Sequence, residues 1–302
     1  MNNLKKVGLS ALAGSLVAFS ANAVEVTVSG KTEVTYAGKA DSTNGNKWGG
    51  GNAITFSGSG DMNGMTATYT AVIGDGGQAS SNTSETFASS SLMLDMGDMG
   101  TVGFDQGVGE FGVSTIDDKT PYAYEEIWTY TGASNGLAAA GGCNVVGYKN
   151  TFAGVSLSLE YDPGHNSGTT DGNGCSGDGG NTGDLTDVSG YNFALTAAVP
   201  YVEGLNVGVA VEDNNTTDGA VVENTVVYAT YAMDAFTVGI QSNSSDSQTA
   251  NSDTDFEAWG VSYAVSEDIS ISYGASTVEY ESGASKSDQE AEAIGVSWTN
   301  GS

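Results

Sequence analysis

Met65-Thr-Ala-Thr-Tyr-Thr-Ala-Val-Ile73 sets Met65, Ala67, Tyr69, Ala71 and Ile73 on one side of an extended chain, with Thr66, Thr68 and Thr70 on the other. Segments with this two-residue period recur about fourteen times. In a soluble sandwich the apolar side would meet a second sheet, but the chain shows no larger apolar core and no helical period. A closed barrel with lipid outside and water inside satisfies both faces at once.

The period places strands at 24–37, 53–60, 65–73, 86–96, 101–106, 143–150, 154–161, 189–200, 205–212, 222–232, 236–242, 255–264, 269–279 and 289–298. Asp61-Met-Asn-Gly64, Gly97-Asp-Met-Gly100, Thr151-Phe-Ala-Gly154, Pro200–Gly204, Met233-Asp-Ala235 and Ser266-Glu-Asp268 read as short turns. Segments 38–51, 74–85, 107–142, 162–188, 213–221, 243–254 and 280–288 are longer and rich in Gly, Asn, Ser and Asp. Strict alternation puts every short turn on one rim and every long loop on the other, as in bacterial outer-membrane barrels with periplasmic turns and extracellular loops. The expected fold is an all-β, transmembrane, antiparallel up-and-down β-barrel over residues 24–302, with about 14 strands visible. Thr299-Asn-Gly-Ser302 reads as one more turn, so the C-terminal end is expected to be incomplete. A further hairpin would bring the barrel to about 16 strands.

Residues 1–23 read as a cleaved signal peptide: Lys5 and Lys6, an apolar stretch from Val7 to Phe19, then Ala21-Asn-Ala23. No run approaches the ~20 apolar residues of a spanning helix. Export and hydropathy together leave strands as the only way into a membrane. Glycine reaches 44 of 302 residues against 3 prolines, which suits strands and tight turns. The net charge of −29 falls to −31 once Lys5 and Lys6 are removed, and arginine is absent throughout. Nucleic acid is therefore excluded as a partner, since phosphate binding needs clustered cations. Cys143 and Cys175, each beside glycine in a predicted loop, are expected to form a disulfide. It would close about 32 residues and contribute roughly 3–4 kcal/mol. Tyr36, Tyr161, Tyr201, Tyr263, Tyr280 and Trp298 lie near strand ends, where rings suit the headgroup boundary.

The chain resembles the general-diffusion porins of Gram-negative bacteria, particularly the alphaproteobacterial type. The likeness lies in the signal peptide running into Val24-Glu-Val-Thr-Val-Ser-Gly30, in hairpins such as Thr151-Phe-Ala-Gly-Val-Ser-Leu-Ser-Leu-Glu-Tyr161, and in a long third loop after the fifth strand. It departs from them in lacking both a closing strand with a terminal aromatic residue and any arginine for a lumen cluster. The resemblance implies a homotrimer among outer-membrane lipid and lipopolysaccharide. It also implies a third loop, here 107–142, folded into the lumen to narrow a passage for small hydrophilic solutes and ions.

That loop supplies the constriction candidates Glu110, Asp117, Asp118, Lys119, Glu125 and Glu126, an acidic lip with one base. Strand parity places Glu25, Lys31, Glu33, Lys149, Glu160 and Glu212 inside the lumen. Carboxylates in a narrow channel draw in cations, so weak cation selectivity is expected. Tyr122, Tyr124, Trp128 and Tyr130 are expected to pack the loop against the wall. Asp117-Asp118 and Glu125-Glu126 are oxygen pairs of the type that holds Ca²⁺, though no ligand spacing demands it and no cofactor is expected. Asp171-Gly-Asn-Gly-Cys-Ser-Gly-Asp178 has the look of a calcium loop, but Cys175 stands where a third oxygen ligand belongs. Enzymatic chemistry lacks a footing: the lone His165 sits in a turn-like stretch, and no nucleophile elbow or phosphate loop is present. The alternative to a channel is a secreted acidic β-rich surface or adhesion protein.

Overall fold

In the computed structural model the strands pair strictly in chain order. The structure describes residues 25–36, 48–73, 87–123, 126–128, 134–138, 144–162, 189–215, 220–281, 283–284 and 287–299. One antiparallel sheet runs β1 (Glu25–Tyr36), β2 (Trp48–Met62), β3 (Met65–Ile73), β4 (Phe87–Asp95), β5 (Thr101–Gln106), β6 (Val145–Phe152) and β7 (Val155–Asp162). It continues through β8 (Gly190–Ala198), β9 (Leu205–Asn215), β10 (Val221–Met233), β11 (Phe236–Ser247), β12 (Thr254–Ala264), β13 (Ile269–Tyr280) and β14 (Gln289–Trp298). Among the described residues β1 and β14 are not paired with each other.

Parity decides which side faces out. Val34, Ile240 and Ile294 are 75%, 62% and 73% exposed, whereas Gln241 and Asn243, on the opposite face of β11, are buried. An apolar exterior over a polar interior inverts the soluble pattern, and it is what a hydrocarbon surround requires. A sandwich would have hidden Leu159, Val211 and Ile271, yet all three remain exposed.

Tight turns set the register. Asn63 and Gly64 join β2 to β3 with φ of 57° and 84°, the left-handed pair that matches the twist of a two-residue hairpin. Aromatic pairs stand at both ends of the outer face: Tyr36 on Trp48 at 5.1 Å, and Phe236 on Tyr263 at 4.5 Å. Tyr280 is a correction to the expected girdle. It faces inward and packs against the cluster of Ile127, Trp128 and Phe256.

The strands are also longer than the period suggested. β2 begins at Trp48 because Gly49, Gly50 and Gly51 pair with Thr35, Val34 and Glu33, although their composition reads as loop. β11 carries its ladder to Ser247 through a Ser- and Asn-rich stretch without apolar alternation. Residues 1–24, with the expected signal peptide, lie outside the described residues, as do Cys143, His165 and Cys175.

Candidate pore constriction

The loop between β5 and β6 turns inward at its first residues. Asp105, buried at the end of β5, accepts hydrogen bonds from the Val108 and Glu110 backbone N–H groups at 2.7 and 2.6 Å. Phe111 then drops into the wall between Gly103 and Gly147, where its ring is fully buried. A Cβ on Gly147 would lie 2.1 Å from that ring. The short 3-10 turn Gly112–Thr115 follows, with Gly112 N–H donating to Ser158 Oγ at 2.8 Å and Val113 N–H to Asn192 Oδ1 at 2.9 Å. Val113 and Ile116 bury themselves on Ala194, Ala210 and Val226.

Further along, the Gln241 amide clamps the loop by both of its ends. Its Oε1 accepts from Lys119 N–H and its Nε2 donates to the Asp117 carbonyl, each at 2.6 Å. Pro121 lies on Gly239 and Gly260, where either Cβ would come within 2.5 Å of it. Ala123 N–H donates to Ser272 Oγ at 2.7 Å. Ile127 and Trp128 fill the wall beside Ala258 and Val278, the indole meeting Phe256 edge-on at 4.9 Å. On the return, Asn243 Nδ2 donates to the Asn135 carbonyl at 2.8 Å, Thr254 Oγ1 to the Gly136 carbonyl, and Asn224 Nδ2 to the Ala138 carbonyl at 2.8 Å. From Gly112 onward, hydrogen bonds join the loop to the wall on β7, β8 and β10–β14.

The charged candidates divide into distinct settings. Glu110 pairs with Lys149 at 2.6 Å, and Lys149 Nζ stands 5.6 Å above the Phe111 ring. Asp118 lies 3.6 Å from Lys119. Lys119, Lys149 and Glu110 line one cavity of about 550 Å³ between the loop and the wall, together with Asp95, Thr101 and Ser158. Burial raises the Asp117 carboxyl to about 7, assisted by Asp118 and Glu126 and opposed by its own backbone and by Lys119. Glu160 and Glu212 are on the inner face but buried, because the loop lies over them. Asn192 Nδ2 donates to Glu160 at 3.0 Å and to Glu212 at 3.3 Å, and Asn224 Nδ2 donates to Glu212 at 2.7 Å. These carboxylates sit beneath the loop in an amide network.

Tyr122 packs beside Ile127 and over Gly295, and Trp128 is buried on the wall. Glu125, Tyr124 and Tyr130 lie outside the described residues, as do the side chains of Glu25, Lys31 and Glu33 on β1. The anchors Asn192, Asn224, Gln241 and Asn243 carry no sign of that role in the sequence, and Ser158 and Ser272 read there only as small inward-facing residues. The available signal was amide and hydroxyl side chains at inward positions of strands, where a water-filled lumen asks for nothing so specific.

A family profile described as Gram-negative porin matches residues 8–300. The chain belongs to the Gram-negative porin family. This porin is similar in fold to OmpF of Salmonella typhi, solved in complex with daunomycin, at 16% identity and a TM-score of 0.60, covering 91% of this chain and 86% of that one. A mutant of the Rh. blastica porin aligns at 13% identity and a TM-score of 0.50, covering 91% and 99% of the two chains. A loop-deletion mutant of OmpT, an outer membrane protein of Vibrio cholerae, aligns at 15% identity and 0.50, covering 92% and 99%. At these identities the structural likeness speaks to fold alone, and no curated protein matches the chain. Family membership makes this an outer-membrane channel protein and sets aside the secreted adhesion alternative.

Lys149→Met in this porin is expected to leave Glu110 without its ammonium and make the lumen more negative. Both partners are partly exposed, so the loss in stability stays within about 1 kcal/mol. The reversal potential in a salt gradient should move toward the cation limit; a move toward the anion limit would contradict the placement of this pair at the passage.

Proposed function

We propose that this porin forms a water-filled channel for passive diffusion of small hydrophilic solutes and ions, with a weak preference for cations, and that it works as a homotrimer. The observation that carries the reading is an inward-folded loop whose described part holds Glu110, Asp117, Asp118 and Glu126 against the single base Lys119. Negative charge held inside a low-dielectric wall lowers the potential along the path and raises the local cation concentration. The loop lies on the β7–β14 side, so the free path runs against the inner faces of β1–β4. Their described positions include the hydroxyl residues Thr27, Ser57, Thr68 and Thr70.

Planar-bilayer recording across a salt gradient tests this directly. Stepwise channels with a reversal potential of cation sign are the expected result, and an anion-sign potential would overturn the selectivity. Chemical cross-linking in the native membrane reads the assembly, with a three-subunit ladder expected.

A further inference from the structure

The outer face of β7–β14 is not apolar to its full height. Where it stops being so follows a pattern. Reading across the ladder, one outward row runs Phe104, Val146, Tyr161 and Tyr191, then turns acidic after β8 with Asp213, Glu223 and Asp246. The row two residues nearer the short turns stays apolar through Val211 on β9 and then becomes Thr225, Ser244, Asp255 and Glu279. The next stays apolar through Val227 on β10 and becomes Ser242, Glu257, Thr277 and Glu290. The fourth holds through Ile240, Trp259 and Ala275 and breaks at Glu292 on β14. A fifth, from Leu205 through Tyr231, Val238, Val261 and Tyr273 to Ile294, never breaks.

The break is a staircase with a measurable slope. Three steps of two residues take it about 20 Å along the strands while it crosses five strands, about 24 Å. That line is inclined about 40° to the ladder, and strands of outer-membrane barrels tilt about 35–45° from the membrane normal. A random scatter of carboxylates would not reproduce the tilt, whereas a level surface cutting across inclined strands must. The short turns follow the same sense. The row that starts beside the β6–β7 turn at Phe152 and Val155 reaches β14 at Glu292, six residues short of the strand end at Trp298. Tyrosines stand at the break, with the Tyr191 hydroxyl donating to Asp213 at 3.3 Å and the Tyr273 hydroxyl to Glu292.

We propose that this staircase is the extracellular edge of the hydrocarbon, and that β7–β14 meet lipid through a belt thin enough to select or impose a short-chain bilayer. Between the break and the turns each strand offers three or four outward apolar residues, such as Leu205, Val207, Val209 and Val211 on β9, or Phe236, Val238 and Ile240 on β11. Four such residues cover about 20 Å of strand, which at this tilt is a belt about 15–20 Å high. Outer-membrane barrels usually present about 25 Å, and a typical bilayer core is about 30 Å. The extracellular ends of β10–β13 then stand in the hydrated headgroup layer, where their carboxylates are solvated.

The inference rests on the membrane-spanning reading but not on conduction, so it is tested without current. Substitutions S242C and E257C above the edge, and I240C and I271C below it, are introduced after replacing Cys143 and Cys175 with serine. In bilayers, a water-soluble maleimide should label the first pair at least tenfold faster than the second. Equal rates would overturn the edge. The unaltered protein supplies a second measure: folding yield should peak in phosphatidylcholine vesicles of about 12–14 carbons per chain and fall in longer ones. A peak at about 18 carbons or more would refute the thin belt. The variant S242L/E257L/T277L/E292L raises the belt by a row, and its optimum should move to longer chains.

Discussion

Gly147→Leu raises the single-channel conductance, on the order of two-fold, because it evicts the root of the inward loop from the wall and widens the passage. The position has no room for a side chain: a Cβ there falls 2.1 Å from the Phe111 ring, which Gly103 borders from the neighbouring strand. Overpacking of this kind costs about 1–3 kcal/mol, and the structure yields wherever it is least held. β6 is hydrogen-bonded along both edges, to β5 and to β7, whereas the Phe111 side chain makes no hydrogen bond and is held by packing and by Lys149 Nζ over its ring. The loop root therefore moves and the ladder stays. Phe111→Ala should open the passage too, by removing the ring. The double variant G147L/F111A lets the new leucine occupy the vacated volume and should bring conductance back toward the parent. Planar-bilayer recording of all three, beside heat-modifiability on gels to confirm a folded barrel, checks the prediction. A folded G147L with parental conductance would show that this loop does not set the aperture.

Cation preference falls as pH drops from about 8 to about 6, because Asp117 takes up a proton in that range. The groups around it set the direction: burial and the Asp118 and Glu126 carboxylates favour the neutral acid, while Lys119 and the backbone oppose it. In Asp117→Asn the reversal potential should be flat across the same interval and equal to the acid-limb value of the parent. A parental profile in the variant would assign the titration elsewhere. Stability follows with a defined sign. The folded value of about 7 lies above the ordinary 3.8, so between those values the folded chain holds a proton that the unfolded chain has released. Asp117 therefore lowers stability as pH rises through that window, with the full penalty present above it. Asp117→Asn removes that slope, which pH-dependent unfolding in denaturant will show.

The wall was readable by parity and the loop was not. Val155, Leu157 and Leu159 against Ser156, Ser158 and Glu160 declare two faces from a period of two, which is a local property of the chain. Asn192 and Gln241 carry no such local sign. Each becomes an anchor only when a loop residue far away in sequence, Val113 or Lys119, arrives over it. Glu160 and Glu212 show the same limit from the other direction. Their inward assignment follows from alternation, but their burial follows from what covers them.

Residue types and spacing alone determined the barrel strands, the alternation of short and long connectors, and which side of each ribbon can touch lipid. These follow from backbone geometry and transfer of side chains between water and hydrocarbon, both of which act over neighbouring residues. The tertiary structure decided the rest: the register that aligns Tyr191 with Asp213 and Ala275 with Glu292, and the seating of Phe111 and Pro121 on bare glycines. Register and seating depend on contacts between residues tens to more than a hundred positions apart. No pattern within a single strand contains them.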